Sequence, residues 1–158
     1  MPTAEASYRN LVLNQRISQV SGFVSRTVWK DNGAAPDDEV FKRNPVFVGL
    51  DLSARNDLTS AGLVFPIGDK YYILGHSFMP EVRFHAKMKE DRVTYDLWEK
   101  AGWLTLTQGA VVNYKEVVLW VEKTILELKA IIQEWCVDPW GAIQVSNDLI
   151  EDGYEVVN

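Results

Sequence analysis

Pro45-Val46-Phe47-Val48-Gly49-Leu50-Asp51-Leu52-Ser53 is the stretch on which the fold turns. Side chains alternate along a strand, so Val46, Val48, Leu50 and Leu52 share one face and Phe47, Gly49, Asp51 and Ser53 the other. The first face asks for a core beneath it. Asp51, near the end of so apolar a strand, is costly as an ionised carboxylate unless it is paired or bound to a cation.

Downstream, residues 60–65 read as a second strand, and the Pro66-Ile67-Gly68-Asp69 turn leads into a third at 70–77, an antiparallel three-strand meander. A loop follows, carrying Arg83, Lys87, Lys89 and Arg92, then a helix over 92–101 stopped by Gly102 and a short strand at 103–107. Asn113 with Glu116 three positions on resembles a capping box. The helix it opens runs to about residue 133, with Val117, Val121, Ile125, Leu128 and Ile132 as one stripe. Trp135 to Asp138 reads as a short buried strand closed by Pro139, with Cys136 as a small core residue. A helix over 142–152 ends on Gly153, and 154–157 begins another strand. A meander followed by alternating helices and strands is an α/β fold with a mixed sheet. The ribonuclease H-like order is one such arrangement, with the first strand between the second and the strand that follows the long helix.

Upstream, residues 1–44 are rich in Asn, Gln, Arg and Ser, with a breaker segment at 33–38. They read as a lead-in with a short helix near 8–16, packing on the following domain through Phe23 and Trp29. The whole chain of 158 residues is 47% apolar and 24% charged, a globular composition that excludes disorder. No apolar run is long enough to span a membrane, and no signal peptide precedes the fold. One Cys and two His exclude a disulfide framework and a multi-cysteine zinc site, and point to a reducing cytoplasm. The net charge of −6 argues against a protein coated with nucleic acid and for weak intrinsic DNA affinity. Against that background Arg83, Lys87, Lys89 and Arg92 are either a solvated face or a local phosphate-contacting strip.

Asp51 and Asp138 each end an apolar strand. If those strands are parallel neighbours, both carboxylates emerge at one sheet edge, the carboxyl end where α/β sheets place ligand sites. Two carboxylates held together repel, and a divalent cation relieves the repulsion; oxygen donors without His or Cys favour Mg²⁺ or Mn²⁺. Either Asp alone is more often a turn former or helix cap. A nucleophile elbow, a phosphate-binding P-loop and a dinucleotide-binding glycine motif are all missing from the sequence, so it carries no ATP site.

Val48-Gly49-Leu50-Asp51-Leu52-Ser53 followed by Asn56-Asp57-Leu58-Thr59 resembles the opening of the nuclease domain of tailed-phage terminase large subunits. Phe78-Met79-Pro80, Tyr95 to Trp98, Gly102 with Gly109-Ala110-Val111-Val112, and Asp138-Pro139-Trp140 are similar in order and spacing, and the likeness covers roughly residues 8–158. The resemblance implies a ribonuclease H-like domain that cuts concatemeric viral DNA while a preceding ATPase pumps it into the procapsid in the host cytoplasm. It implies residues 1–44 as the lead-in from the ATPase side and 45–158 as the nuclease domain. It also implies double-stranded DNA, the small terminase subunit and the portal as partners. Asp51 and Asp138 match two of three acids that hold two metal ions roughly 3.5–4 Å apart; Asp57 falls in a matching stretch, with capping of the second strand its plainer role. The family's third acid lies on a helix beyond Asn158, so the domain is expected to be C-terminally incomplete: a middle slice, an expressed fragment or a decayed prophage gene. A sheet left partly uncovered would associate or be marginally stable. Asp148, Glu151 and Asp152 read as solvated helix residues. Two other readings stand beside this one. The first is a non-catalytic module that docks to motor, portal or DNA. The second is an actin-like sugar-kinase fold, which also opens on a Gly-x-Asp strand but needs glycine loops this sequence lacks.

Overall fold

A computed structural model describes Val12 and residues 24–33, 36–53, 57–138 and 141–157. The chain separates into two compact units, Met1–Asp37 and Asp38–Asn158. In the first, helix α1 (Arg26–Asp31) is capped by Ser25, whose hydroxyl accepts from the Val28 amide at 3.2 Å. The helix expected near 8–16 and Phe23 lie outside the described residues.

The second unit holds β1 (Pro45–Asp51), β2 (Thr59–Ile67), β3 (Lys70–Pro80), α2 (Phe84–Asp91), α3 (Tyr95–Lys100), β4 (Leu104–Thr107), α4 (Tyr114–Leu128), β5 (Ile131–Val137), α5 (Ile143–Glu151) and β6 (Val156–Val157). They build a mixed sheet in the order β4-β3-β2-β1-β5-β6. Only β2 runs against the rest. It pairs antiparallel with β1 and β3, while β1 with β5, β3 with β4 and β5 with β6 are parallel pairs. The first strand lies between the second and the strand following the long helix, as the ribonuclease H-like order requires.

Alternation also sorts the two faces. Val46, Val48, Leu50 and Leu52 of β1 and its exit are buried with Leu63, Phe65, Trp135 and Val137, under α4 (Val117, Val121, Ile125) and α5 (Val145, Leu149). Phe78 joins this core, whereas Met79, one residue on and therefore on the opposite face, packs with Tyr95 and Leu104 against Phe84, Met88 and Trp98. Helices thus cover both faces, α4 and α5 one and α2 and α3 part of the other. The β2–β3 turn closes on Gly68, whose φ of 62° is one that side chains resist.

Three expectations are corrected. The stretch carrying the basic residues is helical, not loop: Lys87 and Lys89 lie in α2, Arg83 ends the 3-10 turn Glu81–Arg83 that leads into it, and Arg92 follows it as its left-handed cap. The long helix stops at Leu128, where Lys129 turns left-handed, so the β-branched Ile131 and Ile132 belong to β5 and not to the helical stripe. Cys136 is exposed, because Trp135 and Val137 take the core side and alternation sends Cys136 out. Its thiol sits 3.5 Å from Glu134 Oε1, and burial and then that carboxylate push its pKa up, which leaves it a poor nucleophile.

His76, on the core side of β3, stacks on Trp120 at 4.5 Å and shares a 2.8 Å hydrogen bond with the Thr105 hydroxyl. Burial lowers its pKa below the usual 6.5 against an opposing hydrogen bond with the Gly102 backbone. The native state therefore resists a proton that the unfolded chain accepts. This contribution to stability is whole above pH 6.5 and is lost as pH falls through the folded value. The urea midpoint is expected to drop between about pH 7.5 and about pH 5 by more in the wild type than in His76→Gln.

Candidate metal-binding site

The two strand-end aspartates come together. Gly49 pairs with Cys136 and Leu50 with Val137, so the next residues, Asp51 and Asp138, stand side by side on parallel strands. The Asp138 amide donates to the Leu50 carbonyl at 3.4 Å, which extends the pairing to the edge. Both carboxylate residues are exposed, and adjacent strands run about 4.8 Å apart. β1, β3, β4 and β5 all end at this edge because they run parallel.

Behind Asp51 the backbone is tied down by Ser53. Its amide donates to Thr59 Oγ1 at 3.2 Å, its hydroxyl accepts from the Asp57 amide at 3.0 Å, and its carbonyl accepts from the Tyr114 hydroxyl at 3.2 Å. Thr59 is fully buried, so this clasp is anchored in the core. Tyr114 is the first residue of α4, whose start is fixed by the Asn113 side chain accepting from the Lys115 amide at 3.2 Å. The network has no signature in the sequence, since a bond across 61 positions leaves no local pattern. Tyr114→Phe is expected to loosen the strand end, with the Asp57 amide exchanging hydrogen several-fold faster and stability falling by about 0.5–1.5 kcal/mol. Unchanged exchange at Asp57 would assign the hydroxyl no part in the clasp.

Asp57 is exposed on the loop into β2 at the same edge, its amide rather than its carboxylate engaged by Ser53. The basic residues lie near. Leu58 and, from α2, Phe84 and Met88 all pack against the cluster of Met79, Tyr95 and Leu104, and the Tyr95 hydroxyl feels the Asp57 charge. Two of the four cations are engaged, Arg83 with Glu90 at 3.3 Å and Lys87 with Asp91 at 3.0 Å. Asp91 also accepts from the Tyr95 hydroxyl at 2.7 Å. That bond, ahead of Lys87, lowers the Asp91 pKa; burial and then Asp91 push the Tyr95 hydroxyl up to about 12. Lys89 and Arg92 are exposed, and no ion pair involves them among the described residues.

Beside Asp51 the face of the sheet not covered by α4 and α5 is bare. Gly49, Gly62 and Gly75 are in register across three strands. They floor an open hollow of about 510 Å³ bordered by Asp51, Ser60 and Ser77. The Ser60 and Ser77 hydroxyls bond each other at 3.1 Å. Two neighbouring exposed carboxylates fit a hard divalent cation, which takes oxygen ligands and keeps several waters. Among the described residues no cluster of three or more His, Cys, Asp or Glu could share such an ion, so the pair supplies a partial ligand set. Among the same residues, no helix is long and apolar enough to cross a membrane.

Residues 5–155 match the family model for the terminase large subunit, endonuclease domain. The terminase large subunit of Enterobacteria phage HK97 is 37% identical over 161 residues, covering 97% of this chain and 31% of that protein. The crystal structure of the HK97 bacteriophage large terminase superposes with a TM-score of 0.72 at 34% identity, over 99% of this chain and 32% of that one. The chain thus spans about a third of the length of the relatives it matches. Matched through nearly all its residues in sequence and fold, with the two aspartates on adjoining strands of a mixed sheet, it belongs to the family of terminase large subunit endonuclease domains.

Proposed function

We propose that residues 45–158 are a divalent-metal-dependent DNA endonuclease domain that cuts concatemeric phage DNA during genome packaging in the host cytoplasm, with residues 1–44 as the lead-in from an ATPase. The observation that carries this is the pairing of Asp51 and Asp138 across β1 and β5 at the sheet's carboxyl edge. Asp51 and Asp138 would hold Mg²⁺ or Mn²⁺, with Asp57 as a further candidate on the adjoining loop. When bound, the ions supply an activated water and neutralise charge on the leaving oxygen. The chain's own residues fix where that happens: the Ser53 clasp sets the Asp51 backbone, and the β5 ladder sets Asp138. Double-stranded DNA would approach past α2, where Lys89 and Arg92 offer cations to its phosphates. The small terminase subunit and portal are the partners implied for the whole packaging machine. The test is nicking of supercoiled plasmid with Mn²⁺ or Mg²⁺ and with chelator; metal-independent cutting would count against the reading.

A charge-reversed Lys89→Glu/Arg92→Glu variant is expected to weaken DNA binding and to flatten the slope of log affinity against log salt by about 1–2. An unchanged slope would remove these two residues from the interface. A specific observation favours a second reading. Among the described residues no third His, Cys, Asp or Glu joins the two aspartates in a cluster that could hold an ion, so this stretch by itself can be a docking module that binds DNA or the motor without turnover. Saturable DNA binding with no nicking at saturating Mn²⁺ would support it.

A further inference from the structure

A second concavity lies away from the glycine face. α4, α5 and the loop over residues 108–113 enclose a groove of about 880 Å³. Val111, Val118 and Leu119 give it an apolar lining, and Leu119 and Val111 are 60% and 57% exposed, so this lining meets water. The rim is acidic on balance, with Glu122 from α4 and Asp148, Glu151 and Asp152 from and just past α5 against one cation, Lys115 of α4. Among the described residues none of these four carboxylates makes an ion pair. Asp148 accepts from the Gln144 side chain at 2.6 Å and Glu122 from the Tyr154 hydroxyl at 3.1 Å.

The placement of these acids opposes the stability of the helix that carries them. Asp148 and Glu151 occupy the last turn of α5 and Asp152 caps it, with no basic residue in that turn. A helix C-terminus carries partial negative charge and favours Lys or Arg. Spacings of three and four also bring Asp148 against Glu151 and Asp152 as like charges. An exposed apolar floor and a rim whose four carboxylates outnumber its one cation, Lys115, are both unfavourable in the isolated chain, and one kind of occupant relieves both. We propose that this groove docks a cationic amphipathic helix of a partner protein, its apolar stripe on Leu119, Val118 and Val111 and its Lys or Arg residues against Glu122, Asp148 and Glu151. The same rim repels nucleic acid, which separates this surface from the Lys89 and Arg92 strip. The inference does not depend on metal chemistry.

The test is calorimetric titration of the 158-residue chain with an 18-residue Leu/Lys peptide carrying a one-sided Leu stripe, beside its Leu/Glu counterpart. The Leu/Lys peptide is expected to bind at least about tenfold more tightly. Leu119→Asn, which leaves the charge unchanged, should weaken it by about tenfold, and so should Glu151→Gln/Asp152→Asn. Without peptide, Asp148→Asn/Glu151→Gln/Asp152→Asn should melt roughly 1–4 °C higher, because the carboxylates no longer oppose the helix dipole. Equal binding of the two peptides, no binding, or binding indifferent to Leu119→Asn would overturn the proposal. A lower melting temperature in the triple variant would overturn it too, since the acids would then be serving the fold. Displacement of the peptide by a DNA duplex would reassign the groove to nucleic acid.

Discussion

Asp51→Asn is expected to lower Mn²⁺-dependent plasmid nicking by at least about 100-fold while leaving the fold intact. Asp51 is exposed at the end of β1, so an isosteric amide fills the same space and removes only charge and one anionic ligand. The supporting structure, Leu50 in the core and Ser53 in its clasp with Thr59, does not involve the Asp51 side chain. Circular dichroism and urea midpoints should therefore match the wild type within about 0.5 kcal/mol. Slight stabilisation is also acceptable, because the change relieves repulsion with Asp138. Activity retained in the variant would mean that the paired aspartates do not carry the cleavage.

Trp135→Ala has the largest expected effect on stability. Trp135 is fully buried on β5, packs in the core beneath α4 and α5, and lies 5.5 Å from the Tyr154 ring. Removing so large a side chain costs about 3–5 kcal/mol through lost burial and the cavity left behind. Against a total of about 5–15 kcal/mol, that brings the chain near unfolding at ambient temperature. Trp135→Phe should cost less than half as much. It leaves a smaller cavity and deletes the indole Nε1, which is buried without a hydrogen-bond partner among the described residues. Because Trp135 precedes Asp138 by three positions in the same strand, both variants should also lower metal affinity in proportion to how far β5 loosens. Urea unfolding of the three proteins gives the order. An alanine variant within about 1 kcal/mol of the wild type would contradict the packing described for β5.

The central strands are legible in the sequence because their chemistry is local. Val46, Val48 and Leu50 alternate with Phe47, Gly49 and Asp51, and only one register buries the first set. The same local pattern ends two apolar strands on Asp51 and Asp138, and the parallel β1–β5 pairing sets those ends side by side. Alternation applied to Trp135, Cys136 and Val137 also implies an outward Cys136, so the hydrophobicity of that strand misleads where its period does not. Ile131 and Ile132 show a different limit. They fit the spacing of the helical stripe and the β-branched preference of a strand equally well, and Lys129 in a left-handed conformation decides between them. Helix α2 is hidden because its sequence, Phe84 to Asp91, has many charges and only a weak apolar stripe. It is held by the Arg83–Glu90 and Lys87–Asp91 pairs and by Phe84 and Met88 packing on the cluster of Met79, Tyr95 and Leu104. The Ser53 clasp and the groove between α4 and α5 are illegible for a common reason. Each joins residues far apart in the chain, and only the folded topology brings them together.

The most direct test of the paired site is Mn²⁺ titration by calorimetry across the wild type, Asp51→Asn, Asp138→Asn and the double variant. The account predicts one shared site: each single change lowers affinity by at least about tenfold, and the double change adds little to either, as for two groups acting on one ion. Mn²⁺ binding of wild-type strength in both single variants would contradict it, and would place any metal this chain holds away from the junction of β1 and β5.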